Sequence, residues 1–295
     1  MLNWVIVFQN YGRLGNRLHT HANALAWCMN NGFNIINLSF KPYSQHFHAN
    51  HNCFGYIFNP STSLTSKIFQ IGFIQSLLEN LCRSNKWLKR LSWFVETIDR
   101  DDYTSLSEQE LTKSISGSKK LKIIRAWDIN CPVSLLKHKD MAKKILAPNS
   151  RSKFRAESVI SKLRLEYSTL IGVHARRGDY KDYLGGIHYH SWENYRKWIS
   201  ETKILLEDQM IKSVGFLLCS DEHPSSDTFE SLPVHFIPEP EMICDLHALS
   251  LCDYNIGPPS SFGTWISWYG NVPRLVIQKG TKVLSLNQFR VSDSC

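Results

Sequence analysis

Short apolar runs alternate with longer amphipathic segments through most of the chain, and in its second half the alternation is clean. "TLIGVHA" (169–175) reads as a strand and "SWENYRKWISETKILLED" (191–208) as a helix with Ser191 as N-cap. "SVGFLLCS" and "VHFIPE" follow as strands, then "EMICDLHALSLC" as a helix and "YNIGP" as a strand. "SSFGTWISWYG" as a helix and "RLVIQ" as a strand close the series. Strands alternating with helices of this length predict a parallel sheet covered on both faces. That is a Rossmann-like half.

The first half opens the same way. Strand "WVIVFQ" (4–9) leads through "NYGRLGN" into a helix over about 16–31, then Gly32 and the strand "FNIINLS" (33–39). Past residue 40 the period fades into a His-, Asn- and aromatic-rich stretch. Residues 67–97 read as helical, 120–129 as a strand and 151–167 as a helix. The expected fold class is α/β, with two Rossmann-like halves facing a cleft, divided into residues 1–165 and 166–295.

Composition narrows this. A length of 295 residues suffices for one large or two medium domains, and 43% hydrophobic with 20% charged residues excludes a disordered chain. No apolar run reaches the roughly 18 residues a spanning helix needs, and the start of the chain lacks the basic and small-residue features of a secretion signal. A cytoplasmic location is expected. Eight cysteines without a CxxC pair argue against thioredoxin-like or zinc-ribbon chemistry and for reduced, structural thiols. The net charge of +8 is uneven: residues 1–165 hold 23 Lys and Arg against 10 Asp and Glu, residues 166–295 hold 11 against 16. A basic half suits an acidic substrate, a membrane surface or nucleic acid. With no recognisable binding module and an acidic second half, no nucleic-acid partner is expected.

In parallel α/β sheets, ligands bind beyond the carboxyl ends of the strands. Three loops lie there. "GRLGN" offers Gly12 and Gly15 for close backbone approach ahead of a helix N-terminus, with Asn16 as ligand or plain cap. It is neither GxGxxG nor a Walker A loop. "HARRGDY" (174–180) follows its strand with Arg176 and Arg177, whose planar forks suit phosphate or pair with Asp179 and nearby acids. "GPPSSFGTW" (257–265) sets Ser260 and Ser261 at a helix start, an anion site or a simple N-cap. Two anion sites and a glycine loop point to a diphosphate-bearing ligand.

On these residues the chain resembles the GDP-fucose-dependent fucosyltransferase superfamily, most nearly the α-1,2-fucosyltransferases (glycosyltransferase family 11). "GRLGNRLHTHANALA", "GVHARRGDY" and "DLHALSLCDYNIGPPSSFGTWISWYG" carry the likeness, in the family's order and over nearly the whole chain. The middle of the first half, about 40–120, has no counterpart.

The resemblance implies a GT-B fold, with an acceptor-side first half and a GDP-sugar-binding second half. It also implies inverting transfer of fucose to a glycan hydroxyl without a metal ion or other cofactor. By position, Arg176 would bind the β-phosphate, with Arg177 beside it. His174 would lie near the guanine, and Asp221 or Glu222 would read its edge. Asp245, Ser260, Ser261 and Phe262 complete the donor site, while Gly12, Arg13, Gly15 and Asn16 face fucose and acceptor. Asp179, Asp182 and His188 are the base candidates, and Asp179 has the alternative of orienting an arginine.

"GPPSSFGTW" departs from the α-1,2 enzymes' Asn-Ser-x-Phe-Ser-Trp-Trp block, and Ala175 stands where a larger aliphatic is usual. A GDP-linked sugar is therefore the broader expectation and fucose the narrower. Other GDP-sugars, other linkages and a non-catalytic nucleotide or glycan binder are the alternatives.

His46, His48 and His51, like His188 and His190, read as polar loop residues before they read as metal ligands. Trp265 and Trp268 read as helix core. "NKWLKRLSWF" (85–94) is either an ordinary amphipathic helix or a peripheral contact with the inner face of a membrane carrying a lipid-linked glycan acceptor.

Overall fold

A computed structural model describes residues 3–8, 12–47, 55–56, 72–100, 104–114, 121–211 and 213–293. The chain divides into two compact units, the first ending at Asn149 and the second running from Ser150 to Asp293.

In the first unit, β1 (Trp4–Val7) is buried at Val5, Ile6 and Val7 and is followed by α1 (Leu14–Asn31). Gly32, at φ 70° in the left-handed region, ends α1. Then come β2 (Asn34–Asn37), β3 (Gly55–Tyr56), α2 (Gly72–Arg83), α3 (Asn85–Arg90), β4 (Val95–Asp99), β5 (Ser105–Ser107) and α4 (Glu108–Ser114). β6 (Leu121–Arg125), β7 (Asp128–Asn130), α5 (Pro132–Lys137) and α6 (Lys139–Ile145) complete it. The main sheet runs β3-β2-β1-β6-β4, parallel except for the β2–β3 pair, and β5 pairs with β7 alone.

Two expectations change here. The strand expected over 33–39 shortens to β2, because Leu38–His46 coils into a 3-10 segment whose Ser39 carbonyl accepts from the Arg17 guanidinium. The helix expected over 67–97 ends at Arg90, and β4 follows. In β4, Glu96 and Asp99 sit opposite Lys122 and Arg125 of β6 and pair with them.

The second unit is regular. It contains α7 (Ser150–Glu166), β8 (Thr169–Ala175), α8 (Trp192–Asp208), β9 (Val214–Ser220) and β10 (Val234–Phe236). α9 (Met242–Leu249), β11 (Tyr254–Gly257), α10 (Ser261–Gly270) and β12 (Arg274–Val276) follow. All five strands are parallel in the order β10-β9-β8-β11-β12. Ser191 caps α8 as expected, accepting from the Asn194 amide at 3.3 Å. The core gathers Ile171, Val173, Phe216, Leu218 and Ile256 of the sheet under Tyr195, Trp198 and Ile199 of α8.

The boundary lies at 149/150 instead of 165/166 because α7 is bound into the second unit. Arg155 pairs with Glu241 at 2.9 Å and donates to the Glu239 carbonyl at 2.6 Å, and Arg164 pairs with Asp253 at 2.6 Å. With α7 reassigned, the second unit is near neutral, and residues 1–149 keep 18 Lys and Arg against 9 Asp and Glu. Among the described residues no helix is long and apolar enough to cross a membrane.

Candidate functional site

Strand order reverses in the second sheet between β8 and β11. The crevice beyond their carboxyl ends is where such sheets take ligands. The loop leaving β8 carries Arg176 to His190, and the loop leaving β11 carries Pro258, Pro259 and Ser260 into α10.

The two arginines have different fates. Arg176 meets Asp179 in a two-pronged contact, Nε to Oδ1 at 2.9 Å and Nη2 to Oδ2 at 2.6 Å, with its guanidinium 4.4 Å above the Tyr180 ring. Its Nη1 edge has no partner among the described residues. The Tyr180 hydroxyl donates to the Pro259 carbonyl at 2.6 Å, so one residue ties the β8 loop to the β11 loop.

Arg177 is 8% exposed. It donates Nε to Glu222 at 2.8 Å, Nη1 to the His190 carbonyl and Nη2 to the Tyr189 hydroxyl, between the rings of Tyr189 and Trp192. Its fork is therefore used inside the protein, closing the 178–190 loop back on α8. The expectation of two free forks fails for Arg177, while Arg176 spends Nε and Nη2 on Asp179 and keeps only its Nη1 edge outside that contact.

The acids expected to read a nucleobase are engaged as well. Asp221 accepts the Arg177 amide at 2.8 Å and the Gly178 amide at 3.1 Å, and Glu222 holds Arg177. The acid that stands apart is Asp245 of α9, whose Oδ1 is buried without a hydrogen-bond partner. Burial pushes its carboxyl up to about 7, with Arg155 opposing the rise and Glu241 adding to it. Asp245 lines a small surface hollow beyond the ends of β9 and β10, with Ser220, Glu222, Phe236 and Ile237.

His174 lies beside Phe262, ring centroids 4.9 Å apart, and its Nδ1 is buried and unpartnered. Burial, then Arg274 and Arg176, lower its pKa to about 3, so the ring is neutral. Gly257 is needed opposite it: a Cβ there would stand 3.0 Å from the His174 carbonyl and 3.2 Å from its Cβ. Ser260 is the N-cap of α10, accepting the Gly263 amide at 3.0 Å and keeping its own hydroxyl proton to donate. Ser261 and Phe262 open the first turn of α10. Trp265 and Trp268 are buried in the core, as expected. Ala175 is fully buried in the core under α8.

One residue of this site escaped the sequence reading. Arg274, at the start of β12, is 6% exposed, donates to the Pro258 carbonyl, and has no carboxylate partner among the described residues. Burial lowers its pKa to about 10, with Tyr180 opposing, so it stays charged at neutral pH. The guanidinium fits beneath the first turn of α10 only because residue 263 is glycine; a Cβ there would lie 2.5 Å from Cζ. An arginine inside a buried terminal strand was the available signal.

The remaining predicted residues fall elsewhere. Gly12, at φ 86°, stands after β1 in the first unit, with the Asn16 side chain folded over it and its carbonyl accepting from Arg17 Nε at 3.0 Å. Asn16 is inside α1, not its cap; the N-cap is the exposed Arg13, and Gly15 is buried in the first turn. His188 packs 5.9 Å from the Tyr180 ring, Asp182 is exposed, and His190 is buried against Trp198. His46 ends the 3-10 segment, while His48 and His51 lie outside the described residues. Among the described residues, no three or more His, Cys, Asp or Glu group as metal ligands do. Six cysteines are buried free thiols; burial holds Cys252 up at about 12 and Cys244 at about 11.

No protein-family model and no curated protein sequence matches the chain. Solved structures do. The NodZ α-1,6-fucosyltransferase soaked with GDP-fucose superposes with a TM-score of 0.53 at 15% identity, over 94% of this chain and 95% of that one. Fucosyltransferase NodZ from Bradyrhizobium gives 0.53 and 15% over 96% and 98%. POFUT1 in complex with GDP-fucose gives 0.53 and 12% over 90% and 94%. A mutant of Arabidopsis thaliana FUT1 in complex with GDP gives 0.53 and 12% over 94% and 70%. At these identities the likeness is one of fold: α/β, GT-B-like, with two Rossmann-like halves.

Proposed function

We propose that the protein is an inverting, metal-independent glycosyltransferase of the GDP-fucose superfamily, moving fucose from GDP-fucose to a hydroxyl of a glycan acceptor. The observation that carries this reading is the switch point between β8 and β11. There Arg176, aimed by Asp179 and tied through Tyr180 to the opposite loop, adjoins a capped helix N-terminus with the buried Arg274 beneath it. A site this positive and this rigid suits a diphosphate. The fold is shared with proteins crystallised with GDP-fucose or GDP, which supports a GDP-sugar over another diphosphate.

In the transfer, an acceptor oxygen attacks the anomeric carbon as the bond to the β-phosphate oxygen breaks, and the electron pair passes to the diphosphate. Arg176 and the α10 amides stabilise that charge, in a fixed geometry that needs no reorganisation. With Asp179 engaged by Arg176, the acceptor proton goes to His188, with Asp182 the remaining alternative. The Asp245 carboxylate suits a base presenting adjacent ring and exocyclic N–H donors, which guanine has and uracil lacks. Neutral His174, beside Phe262, borders the β11 side of the crevice. Gly12, Arg13, Gly15 and Asn16 serve the fucose and acceptor in this reading. The linkage carried by the sequence resemblance is α-1,2; the α-1,6 activity named for NodZ, whose fold this chain shares, is the competitor.

The test is a thermal-shift and donor-consumption panel with GDP, UDP and ADP, and with GDP-fucose, GDP-mannose and UDP-sugars. Stabilisation by GDP alone and consumption of GDP-fucose alone are expected, and product linkage is then read by NMR. Stabilisation by UDP, or by no nucleotide, overturns the reading. Binding of GDP without consumption of any donor, with or without a glycan, reassigns the protein as a binder.

A further inference from the structure

The basic aromatic segment after α2 lies outside the β8/β11 site of the second unit, and its exposure is unlike that of a core helix. α3 (Asn85–Arg90) is capped by Ser84, and the segment is anchored inward by Leu88, 5% exposed, and Val95, 3% exposed. Its large rings face outward: Trp87 is 54% exposed, Trp93 77% and Phe94 39%. Arg83, Lys86, Lys89 and Arg90 are exposed around them, and no acid occurs between Glu79 and Glu96. Rings and charges alternate along this exposed segment, with the Arg90 guanidinium 5.4 Å from the Trp87 ring and the Trp93 and Phe94 rings 5.6 Å apart. Leu77 of the preceding helix is also 58% exposed.

Indole rings with an apolar body and one polar edge are at home at a membrane–water boundary, and neighbouring Lys and Arg stems reach from there to anionic headgroups. Protein interfaces favour aromatic residues and arginine but deplete lysine. The pairing of protruding tryptophans with an unbroken set of cations therefore fits a lipid surface better than a protein partner.

We propose that residues 83–94 are a peripheral docking surface for anionic phospholipid. Trp87, Trp93 and Phe94 enter the headgroup region, while Arg83, Lys86, Lys89 and Arg90 meet lipid phosphates. The proposal stands whatever reaction the second unit performs.

The full chain is floated with phosphatidylcholine vesicles, with or without phosphatidylglycerol, and brominated lipid is used to quench tryptophan fluorescence. Wild type is expected to float only with the anionic vesicles, less so as salt rises, and to be quenched. Trp87→Ser with Trp93→Ser, and separately Lys86→Glu with Lys89→Glu, should each cut the bound fraction on the order of tenfold. Lys137→Glu with Lys144→Glu makes the same charge change elsewhere in the unit and should change binding little. Unchanged thermal melts show that the exposed substitutions leave the fold intact. No flotation of wild type overturns the proposal. So does equal loss in the two charge-reversed variants, or full binding by the tryptophan variant, since either means diffuse adsorption of a basic protein.

Discussion

The two main sheets share a plan and differ at the point where the plan makes a crevice. In the first unit, β1 has β2 on one side and β6 on the other. Ahead of α1, Asn16 covers Gly12, and Arg17 donates to the carbonyls of Gly12 and Ser39. In the second unit, the loops off β8 and β11 gather Arg176, Arg274, His174 and the start of α10. Topology supplies a crevice in both, and only the loop residues decide whether it is charged. The same lesson holds between neighbours. Successive side chains leaving a strand point to opposite faces. His174 lies toward α10 and Ala175 in the core under α8. Arg176 then meets Tyr180, and Arg177 meets Trp192 at the start of α8.

The largest expected effect breaks that contrast directly. Arg176→Ala should lower turnover of GDP-fucose by about 10²–10³ while the melting temperature changes little, because a donor to developing charge is lost and no core contact is. Arg177→Ala should do the reverse. Removing it leaves Glu222 unpaired and two rings unstacked, so stability should fall by about 2–4 kcal/mol while the folded fraction still turns over. Steady-state kinetics and thermal melts on both variants decide it. Matching kinetic losses at both positions would mean that the two arginines act on the ligand together.

This contrast marks how far the sequence could be read. The second unit was legible because its strands are short apolar runs and its caps are ordinary. The span 169–175 is β8 to the residue, and Ser191 caps α8. "HARRGDY" pointed to the loop that leaves β8 at the switch point, but a sequence does not say which face of a strand end each arginine takes, so Arg177 was read as a ligand. Arg274 was hidden more deeply. An arginine opening "RLVIQ" looks like a strand edge, and the glycine that makes room for it lies in another element. In the first unit, the alternating "VETID" of β4 was absorbed into a helical reading, because its polar positions find their partners only on β6. The helix over 151–167 was read as preceding the second half, although its arginines pair with acids of that half.

A smaller effect should separate charge from packing at Arg274. Gly263→Ala sets a methyl against the guanidinium and forces it off the Pro258 carbonyl. Overpacking of this kind costs about 1–3 kcal/mol, and GDP affinity should fall about tenfold as the buried cation shifts. Adding Arg274→Met to Gly263→Ala removes the clash and should recover much of the melting temperature without recovering GDP affinity. Recovery of both, by melts and calorimetric titration, would show that Arg274 only fills space.

The smallest effect lies at Asp245 and is read through pH. Its carboxyl titrates near 7 in the folded protein against an ordinary value of 3.8, so folding favours the protonated form. The contribution of this group to stability is therefore fully present below 3.8 and is lost as pH rises to about 7, beyond which it is flat. Ligand binding should run the other way. A base donating N–H groups needs the carboxylate, so donor affinity should rise with pH through about 7 and level off above it. GDP-fucose is the proper probe, because its diphosphate is a diester, whereas the terminal phosphate of free GDP titrates near 6. Between pH 6 and 8 the gain should be about tenfold, and Asp245→Asn should flatten both slopes. A wild-type affinity that stays level or falls with pH would mean that the carboxylate does not meet the base. The orphaned Oδ1 would then be a cost of packing α9 against the sheet, with no part in recognition.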